Sequence, residues 1–325
     1  MTERLAKMAG VSLFVIVFIV TFQTTVLLVP KAHAEVMQLS MGTATVGGIF
    51  YNIGAPVATC VNKALPEVNI TAEITQGSTE NLRLIDQKKI HLAVITPMIG
   101  YYALHGTHMF KDKPTDFGVV ARLLPNANVW VTLAKSEIKS IPGVKGHKVG
   151  VGPASGGLGV IARDQLAANG IDYKKDIKPY FLGAGEMAEA LKDGYVDASF
   201  LTQELAEMVA TTHKIRVLPW DRKALEPFLA KNPYYGEYTT PANTFKEVDY
   251  PVLTVDNGIQ LICVKDMDEG LVYKLTKAIV ENLSCIADIY APAKAITREW
   301  TAIEIGNPYH PGAIKYFKEI GVWKK

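Results

Sequence analysis

Cysteine is scarce in this sequence. Only Cys60, Cys263 and Cys285 occur in 325 residues, and three thiols cannot all pair within one chain. No C-x-x-C, H-E-x-x-H or C₂H₂ spacing is present, so the sequence predicts no metal site. Cys60 falls in an apolar stretch and is expected to be a small buried residue. A bridge between Cys263 and Cys285 is left open.

Net charge is also nearly absent from most of the chain. Residues 1–34 hold Arg4, Lys7 and Lys31 against Glu3, and this surplus equals the +2 of the whole chain. The remainder is therefore about neutral. Nothing in it indicates binding to nucleic acid or to an anionic membrane surface.

Long hydrophobic runs are confined to the first 34 residues. Arg4 and Lys7 precede the mostly apolar residues 11–29, and Ala32-His33-Ala34 has the A-x-A pattern of a cleavage site. We interpret residues 1–34 as a signal peptide cleaved near Ala34, which predicts a periplasmic protein. An uncleaved membrane anchor is the alternative, because the apolar run nearly reaches spanning length.

A glycine-rich turn, GTATVGGIFY at residues 42–51, stands between a strand pattern and a helix pattern. Such a turn offers free backbone N–H groups and the positive end of a helix dipole to an anion. The spacing excludes a dinucleotide fingerprint, because position 44 is Ala. It excludes a P-loop as well, because Gly48 and Ile49 stand where Lys and Ser or Thr are required.

Strand and helix patterns alternate after this turn, and a second glycine turn at 152–157 restarts the pattern. This alternation predicts βαβ units in an α/β fold. We expect two lobes with a ligand cleft between them, lobe 1 from 35–125 plus 250–325 and lobe 2 from 126–249. Ser78 is expected to cap a helix, and strands are expected at 36–41, 68–75, 92–96, 118–124, 128–134, 147–151, 198–201, 215–218 and 253–264.

Three motifs carry a family resemblance. The turn at 42–51 is followed by QGSTENL at 76–82 and by HPGAIKYF at 310–317. In this order and at full-length spacing they resemble the TAXI solute-binding proteins of TRAP transporters, which open with G-T-G-S-x-G-G-x-Y-Y, continue with G-S-x-E-N-L and end with H-P-G-A.

The resemblance implies a two-lobed periplasmic binding protein fold of type II, with two mixed sheets flanked by helices. It implies no catalysis and no cofactor, and we expect a monomer. The ligand would be a small carboxylate, such as the amino acid glutamate, a dicarboxylate or an oxo acid, delivered to an ion-gradient-driven TRAP permease. A sensor component that feeds a membrane signalling protein is an alternative. An exported hydrolase is another, although Ser155 lacks the G-x-S-x-G frame.

The resemblance also predicts where a ligand would bind. The family's second-lobe motif falls near Leu158 and Gly159, which replace its Thr and Glu and make that lobe less polar. Arg122 is a candidate carboxylate clamp. Trp130 and Gln203 are further candidates, so the predicted ligand-binding set is Thr43, Thr45, Gly47, Gly48, Tyr51, Gln76, Ser78, Trp130, Ser155, Gly156, Gly157 and Gln203.

Overall fold

The computed structural model describes residues 36–154 and 157–324. The predicted signal peptide, Ser155 and Gly156 lie outside the described residues. The strands are β1 (Met37–Gly42), β2 (Val68–Glu73), β3 (Leu92–Ile95), β4 (Phe117–Arg122), β5 (Ala127–Leu133), β6 (Lys148–Gly150), β7 (Lys178–Tyr180), β8 (Ala198–Thr202), β9 (Ile215–Leu218), β10 (Gly236–Thr240), β11 (Val252–Asp256) and β12 (Gln260–Val264).

Helices connect these strands. They are α1 (Ile49–Ala64), α2 (Ser78–Asp86), α3 (Pro97–Leu104), α4 (Gly157–Ala168), α5 (Ala184–Lys192), α6 (Gln203–Thr212), α7 (Arg222–Lys231), α8 (Glu269–Glu281), α9 (Leu283–Ile289), α10 (Arg298–Thr301) and α11 (Pro311–Glu319). Within the described part of the chain, no helix is both long and apolar enough to span a bilayer.

The strands form two sheets, and both are mixed. The first has the order β2-β1-β3-β12-β4, with β1 parallel to β2 and β3, and β12 antiparallel to β3 and β4. The second has the order β10-β11-β5-β8-β6-β7, and β9 also pairs with β5. There β6 runs parallel to β7 and β8, while β5 is antiparallel to its neighbours. This confirms the predicted fold class of two mixed sheets flanked by helices.

Helix α1 shows how the sequence pattern builds the core. Ile53, Val57 and Val61 recur at the helical period and are fully buried. The helix packs against β2 and β3 of the first sheet. Burying each such side chain contributes roughly 1.5–3 kcal/mol. The apolar spacing therefore determines both the helix and the face that it turns to the sheet.

The predicted single strand at 253–264 is wrong. Strand β11 ends at Asp256 and pairs with β5 in the second sheet, whereas β12 begins at Gln260 and lies in the first. Between them Gly258 has φ +61°, in the left-handed region that favours glycine. The chain passes from one sheet to the other here. Strand β11 therefore lies in the second sheet, although the sequence placed its residues in lobe 1.

The expected cap of α2 is also wrong. Helix α2 begins at Ser78 itself, and Gly77, with φ +89°, precedes it as the N-cap. The hydroxyl of Ser78 instead accepts a hydrogen bond from the backbone N–H of Thr96 at 3.1 Å. Ser78 thus links α2 to the start of α3, a helix that the sequence patterns did not predict.

Cys60 is buried, as the sequence predicts, but it is not a free thiol. Cys60 and Cys285 form a disulfide that joins α1 to α9, with Cα atoms 6.1 Å apart. Cys263 is a free, buried thiol whose Sγ donates to the carbonyl of Gly118 at 3.5 Å. Burial raises the pKa of Cys263 to about 12, so this thiol stays protonated and unreactive.

A buried ion pair stands where the chain crosses between the sheets. The guanidinium of Arg122, at the end of β4, donates to the carboxylate of Asp256, at the end of β11; the side chains are 1 % and 0 % exposed. The other oxygen of Asp256 accepts from the backbone N–H of Asn126 at 2.6 Å. Arg122 also lies 3.7 Å from the ring centroid of Trp300, whose indole donates to Leu123. The two crossing segments are thereby tied together.

We expect reduction of the disulfide to lower the free energy of unfolding by about 2–4 kcal/mol, because the bond closes a very long loop and restricts the unfolded chain. Denaturant unfolding with and without dithiothreitol measures this. The Cys60→Ser/Cys285→Ser variant should no longer respond to the reductant, and Cys263→Ala should respond as the wild type does. Equal midpoints for oxidised protein and protein shown by thiol titration to be reduced would contradict the prediction.

We expect Arg122→Met to lower the free energy of unfolding by about 3–5 kcal/mol, because it leaves the buried Asp256 carboxylate without its partner. The double variant Arg122→Met/Asp256→Leu should lose less than Arg122→Met alone, since it removes both charges. The control is Lys88→Met, which breaks an ion pair whose side chains are 67 % and 62 % exposed and should leave stability nearly unchanged. A single-variant loss no larger than the control's would refute the prediction.

Candidate functional site

A cavity of about 510 Å³ is lined by elements attached to both sheets. Its volume is in the usual range for small-molecule sites. Asn126, Asn128 and Asn257, on or beside the crossing segments, contribute to the lining. The complete lining is Gly47, Ile49, Asn52, Thr96, Met98, Ile99, Asn126, Asn128, Leu158, Ile161, Thr202, Glu204, Tyr235, Asn257 and Tyr290.

Four helices begin at this cavity. The start of α1 contributes Gly47 and Ile49, and the starts of α3, α4 and α6 contribute Thr96, Leu158 and Thr202. The first turn of an α-helix has backbone N–H groups without intrahelical partners and carries the positive end of the helix dipole. At α1 the N-cap is Gly48, and no side chain caps the helix. At α3, too, no side chain caps the helix, whereas at α6 the hydroxyl of Thr202 accepts from the backbone N–H of Leu205 at 3.4 Å. The uncapped starts of α1 and α3 therefore leave backbone donors for an anion.

Two buried asparagines in the lining keep unpaired amide atoms. Asn128 is 5 % exposed and Asn257 is 3 % exposed. Among the described residues, neither Oδ1 atom has a hydrogen-bond partner, and Nδ2 of Asn257 has none either. Leaving a buried polar group unpaired costs roughly 1–3 kcal/mol. Among the described residues that line the cavity, these two amides are therefore the buried polar groups that keep unpaired atoms.

The rest of the lining is mostly apolar. Met98, Ile99, Leu158 and Ile161 belong to it, and no lysine or arginine is among the described residues that line it. Glu204, in the first turn of α6, is the one charged side chain among the described residues that line the cavity. Its position at a helix start complements the helix dipole.

Two tyrosines complete the apolar wall. The hydroxyl of Tyr235 donates to Sδ of Met98 at 3.6 Å, and burial raises the pKa of Tyr235 far above its usual value. Burial, followed by the negative charge of Glu204, also raises the pKa of Tyr290. Both hydroxyls therefore stay neutral at physiological pH and add no charge to the cavity.

A smaller cavity of about 220 Å³ adjoins the first and shares Ile49, Asn126, Glu204 and Tyr290 with it. Gln203 lines this smaller space, where its Nε2 donates to Oε1 of Glu207 at 2.8 Å. Gln203 is thus beside the larger cavity, with its amide already engaged.

Among the described residues, one predicted site residue lines the cavity, and others lie beside residues that line it. Gly47 lines it, Gly48 is the N-cap of α1, and Gly157 begins α4. The carbonyl of Thr45 accepts from Gly48 at 3.0 Å, which shapes the turn. Ser155 and Gly156, predicted beside Gly157, lie outside the described residues.

Other predicted residues are not among those that line the cavity. Thr43 is fully buried, and its hydroxyl donates to the carbonyl of Glu73 at 2.7 Å. Tyr51 is half-buried and Gln76 is exposed. Ser78 supports the start of α3, as described above. Trp130 is 1 % exposed, and its indole donates to Oε1 of Gln165 at 3.0 Å.

Arg122 does not match its interpretation as a ligand clamp. It is paired with Asp256 in the interior and is not among the lining residues. The asparagines were missed because asparagine at a turn is ordinary. One signal was present: Asn257-Gly258 is a strong turn dipeptide, and it marks the break between the sheets.

Comparison with solved structures identifies the architecture as that of two-lobed periplasmic binding proteins. The chain is similar to a TctC solute binding protein from Polaromonas, with TM-score 0.59, 15 % identity and coverage of 83 % of this chain and 91 % of that one. It is similar to the periplasmic aliphatic sulphonate binding protein SsuA from Escherichia coli, with TM-score 0.52, 18 % identity and coverage of 80 % of this chain and 81 % of that one. It is also similar to a periplasmic sulfonate-binding protein SsuA from Methylobacillus flagellatus KT, with TM-score 0.53, 14 % identity and coverage of 89 % of this chain and 88 % of that one.

Residues 41–321 match the NMT1-like family, and the chain belongs to that family. The narrower resemblance to TAXI proteins stays a prediction. At identities below one fifth, the structural likeness establishes the fold alone.

We expect Asn257→Leu to raise the free energy of unfolding of the unliganded protein by about 1–3 kcal/mol, because it removes two unpaired buried polar atoms. Chemical denaturation of ligand-free protein measures this.

The matched comparison is Asn81→Leu. Asn81 is also buried, but it donates to Thr43 and Val94 at 2.8 and 2.9 Å and accepts from Thr75 at 2.7 Å. Its replacement should destabilise the protein. If both variants lose stability alike, the amide of Asn257 is satisfied in the folded protein and the prediction is wrong.

Proposed function

We propose that the protein is a periplasmic solute-binding protein that captures a small carboxylate in the larger cavity and delivers it to a TRAP-type permease. The observation that carries the proposal is the convergence of four helix N-termini on one cavity. Hydrogen bonds to a charged group are worth about 1.5–3 kcal/mol each. Several backbone donors suffice to hold one carboxylate without a basic side chain.

The relatives agree with an anionic solute. Two of the similar structures are named as binding sulphonates, which are anions of comparable size to carboxylates. The TAXI-like motifs favour the carboxylate and the TRAP-type partner. Glu204 supplies an acceptor for an ammonium group if the solute is an amino acid.

The two sheets suggest how capture works. We propose that they are the cores of two lobes, with the chain crossing near Asn126 and near Asn257. Closure about these crossings would bring α1 and α3 of one lobe and α4 and α6 of the other onto the solute. In this proposal the second lobe ends near Asn257, about seven residues later than predicted from the sequence, because β11 belongs to the second sheet.

Export is part of the proposal. Residues 1–34 have the pattern of a signal peptide, although they lie outside the described structure. The Cys60–Cys285 disulfide supports an oxidising compartment. We propose a monomeric protein with no catalytic activity and no cofactor.

We expect small carboxylates to raise the melting temperature of the protein by mass action and Asn52→Asp to weaken their binding tenfold or more. Asn52 lies in the first turn of α1 and lines the cavity, so the substitution sets a negative charge beside the carboxylate. A thermal-shift screen of carboxylates, sulfonates, phosphate esters and sugars, followed by calorimetry, measures both effects.

Two variants make this test specific. Thr59→Asp adds the same charge to the exposed face of the same helix and should leave affinity unchanged. Asn52→Ala removes the hydrogen bond from Nδ2 of Asn52 to the Gly47 carbonyl without adding charge, so it should weaken binding less than Asn52→Asp. A phosphate ester or sugar that shifts the midpoint when no carboxylate does would overturn the proposal.

A further inference from the structure

The groups that line the cavity indicate a narrower class of solute than small carboxylates in general. We infer that the solute is a monocarboxylate whose second polar group is uncharged and donates hydrogen bonds, as a primary amide or a hydroxyl does, and that dicarboxylates are rejected. This inference rests on the proposed function, because it assumes that the charged end of the solute meets the helix N-termini.

The unpaired atoms of Asn128 and Asn257 define the second group. Both Oδ1 atoms are acceptors without a donor among the described residues, and Nδ2 of Asn257 is a donor without an acceptor. An ionised carboxylate only accepts hydrogen bonds, so it can pair with Nδ2 but with neither Oδ1. A primary amide or a hydroxyl both donates and accepts, and can satisfy both kinds of atom.

One polar group of the solute can form hydrogen bonds with both asparagines, because the segments that carry them are paired. Asn128 on β5 is aligned with Val255 on β11, and Ala127 is aligned with Asp256. Asn257 follows directly, and its backbone N–H donates to the carbonyl of Asn126 at 3.2 Å. The two asparagines therefore lie on paired, adjacent segments that line the same cavity.

Charge excludes a second carboxylate at this place. The described lining contains no lysine or arginine, and the guanidinium of Arg122 is already paired with Asp256. A second solute carboxylate would therefore meet no cation here, and the one charged side chain among the described lining residues, Glu204, is itself negative. A buried charge without a partner is strongly unfavourable.

The remaining lining determines the body of the solute. Met98, Ile99, Leu158 and Ile161 present apolar surface between the two polar regions. An aliphatic or aromatic body of moderate size fits a cavity of about 510 Å³. The solute is therefore apolar in the middle, charged at one end and neutral but polar at the other.

The test is calorimetric titration with matched pairs that differ in one group. Glutarate, adipate and suberate are each compared with their monoamides at neutral pH. We expect the monoamide to bind tighter than its dicarboxylate by tenfold or more in at least one pair. Asn257→Leu and Asn128→Leu should each reduce this preference by tenfold or more.

Asn169→Leu is the matched control. Asn169 is also buried and also keeps an unpaired Oδ1, but it does not line the cavity, so the preference should survive its replacement. The wild-type comparison needs no variant, and it stands even where a variant fails to fold.

The outcomes separate the two proposals. Dicarboxylates that bind as tightly as their monoamides, with binding still weakened by Asn52→Asp, would overturn this inference and leave the proposed function standing. If neither member of any pair binds while a non-carboxylate solute does, the proposed function fails and this inference fails with it. A preference for the amide that persists in both Asn128→Leu and Asn257→Leu would refute the role given to these residues.

Discussion

The buried ion pair between Arg122 and Asp256 is the interaction on which the arrangement of this protein depends. Each charge loses its hydration on burial, at a cost of several kcal/mol. Here the cost is offset by their mutual attraction, by the backbone N–H of Asn126 on Asp256 and by the Trp300 ring beside Arg122. Because β4 and β11 belong to different sheets, the ion pair joins the two sheets at the point where the chain crosses between them.

The same pair positions the candidate site. Asp256 binds the backbone of Asn126 and directly precedes Asn257, and both residues line the cavity. The asparagines of the cavity therefore lie on segments that the buried Arg122–Asp256 ion pair holds in place. Two side-chain amides remain unpaired there, which costs stability in the unliganded protein. Such a cost is typical of sites where binding, and not stability, has determined the residue.

Local structure was largely predictable from the sequence, and contacts between distant segments were not. The apolar period of α1 and the alternation of β1 are visible in the sequence because each depends on neighbours a few residues away. The disulfide joins cysteines 225 residues apart, and no local pattern encodes that distance. The break at Asn257 carried a local turn signal, but that signal does not show that the strands on its two sides belong to different sheets.

The residues predicted for the candidate site fall into the same two groups. The turn at Gly47 and Gly48 was predictable because a glycine turn before a helix has a local chemical meaning. The residues that the prediction added by polarity or aromatic character, such as Thr43 and Trp130, have their polar atoms paired inside the protein. Sequence shows which side chains are polar, but only the three-dimensional contacts show which of them are already satisfied.

The proposed recognition of an anion by helix N-termini, without an arginine, would also suit a protein that releases its solute. Backbone donors are fixed by the helices and need little reorganisation, so they bind one charge without the bidentate grip of a guanidinium. If the lobes move as proposed, opening withdraws the N-termini of one lobe from those of the other. The solute then keeps only half of its donors, and affinity falls without any side chain having to be neutralised. The scarcity of charge at the cavity is therefore consistent with capture and delivery by a single conformational change.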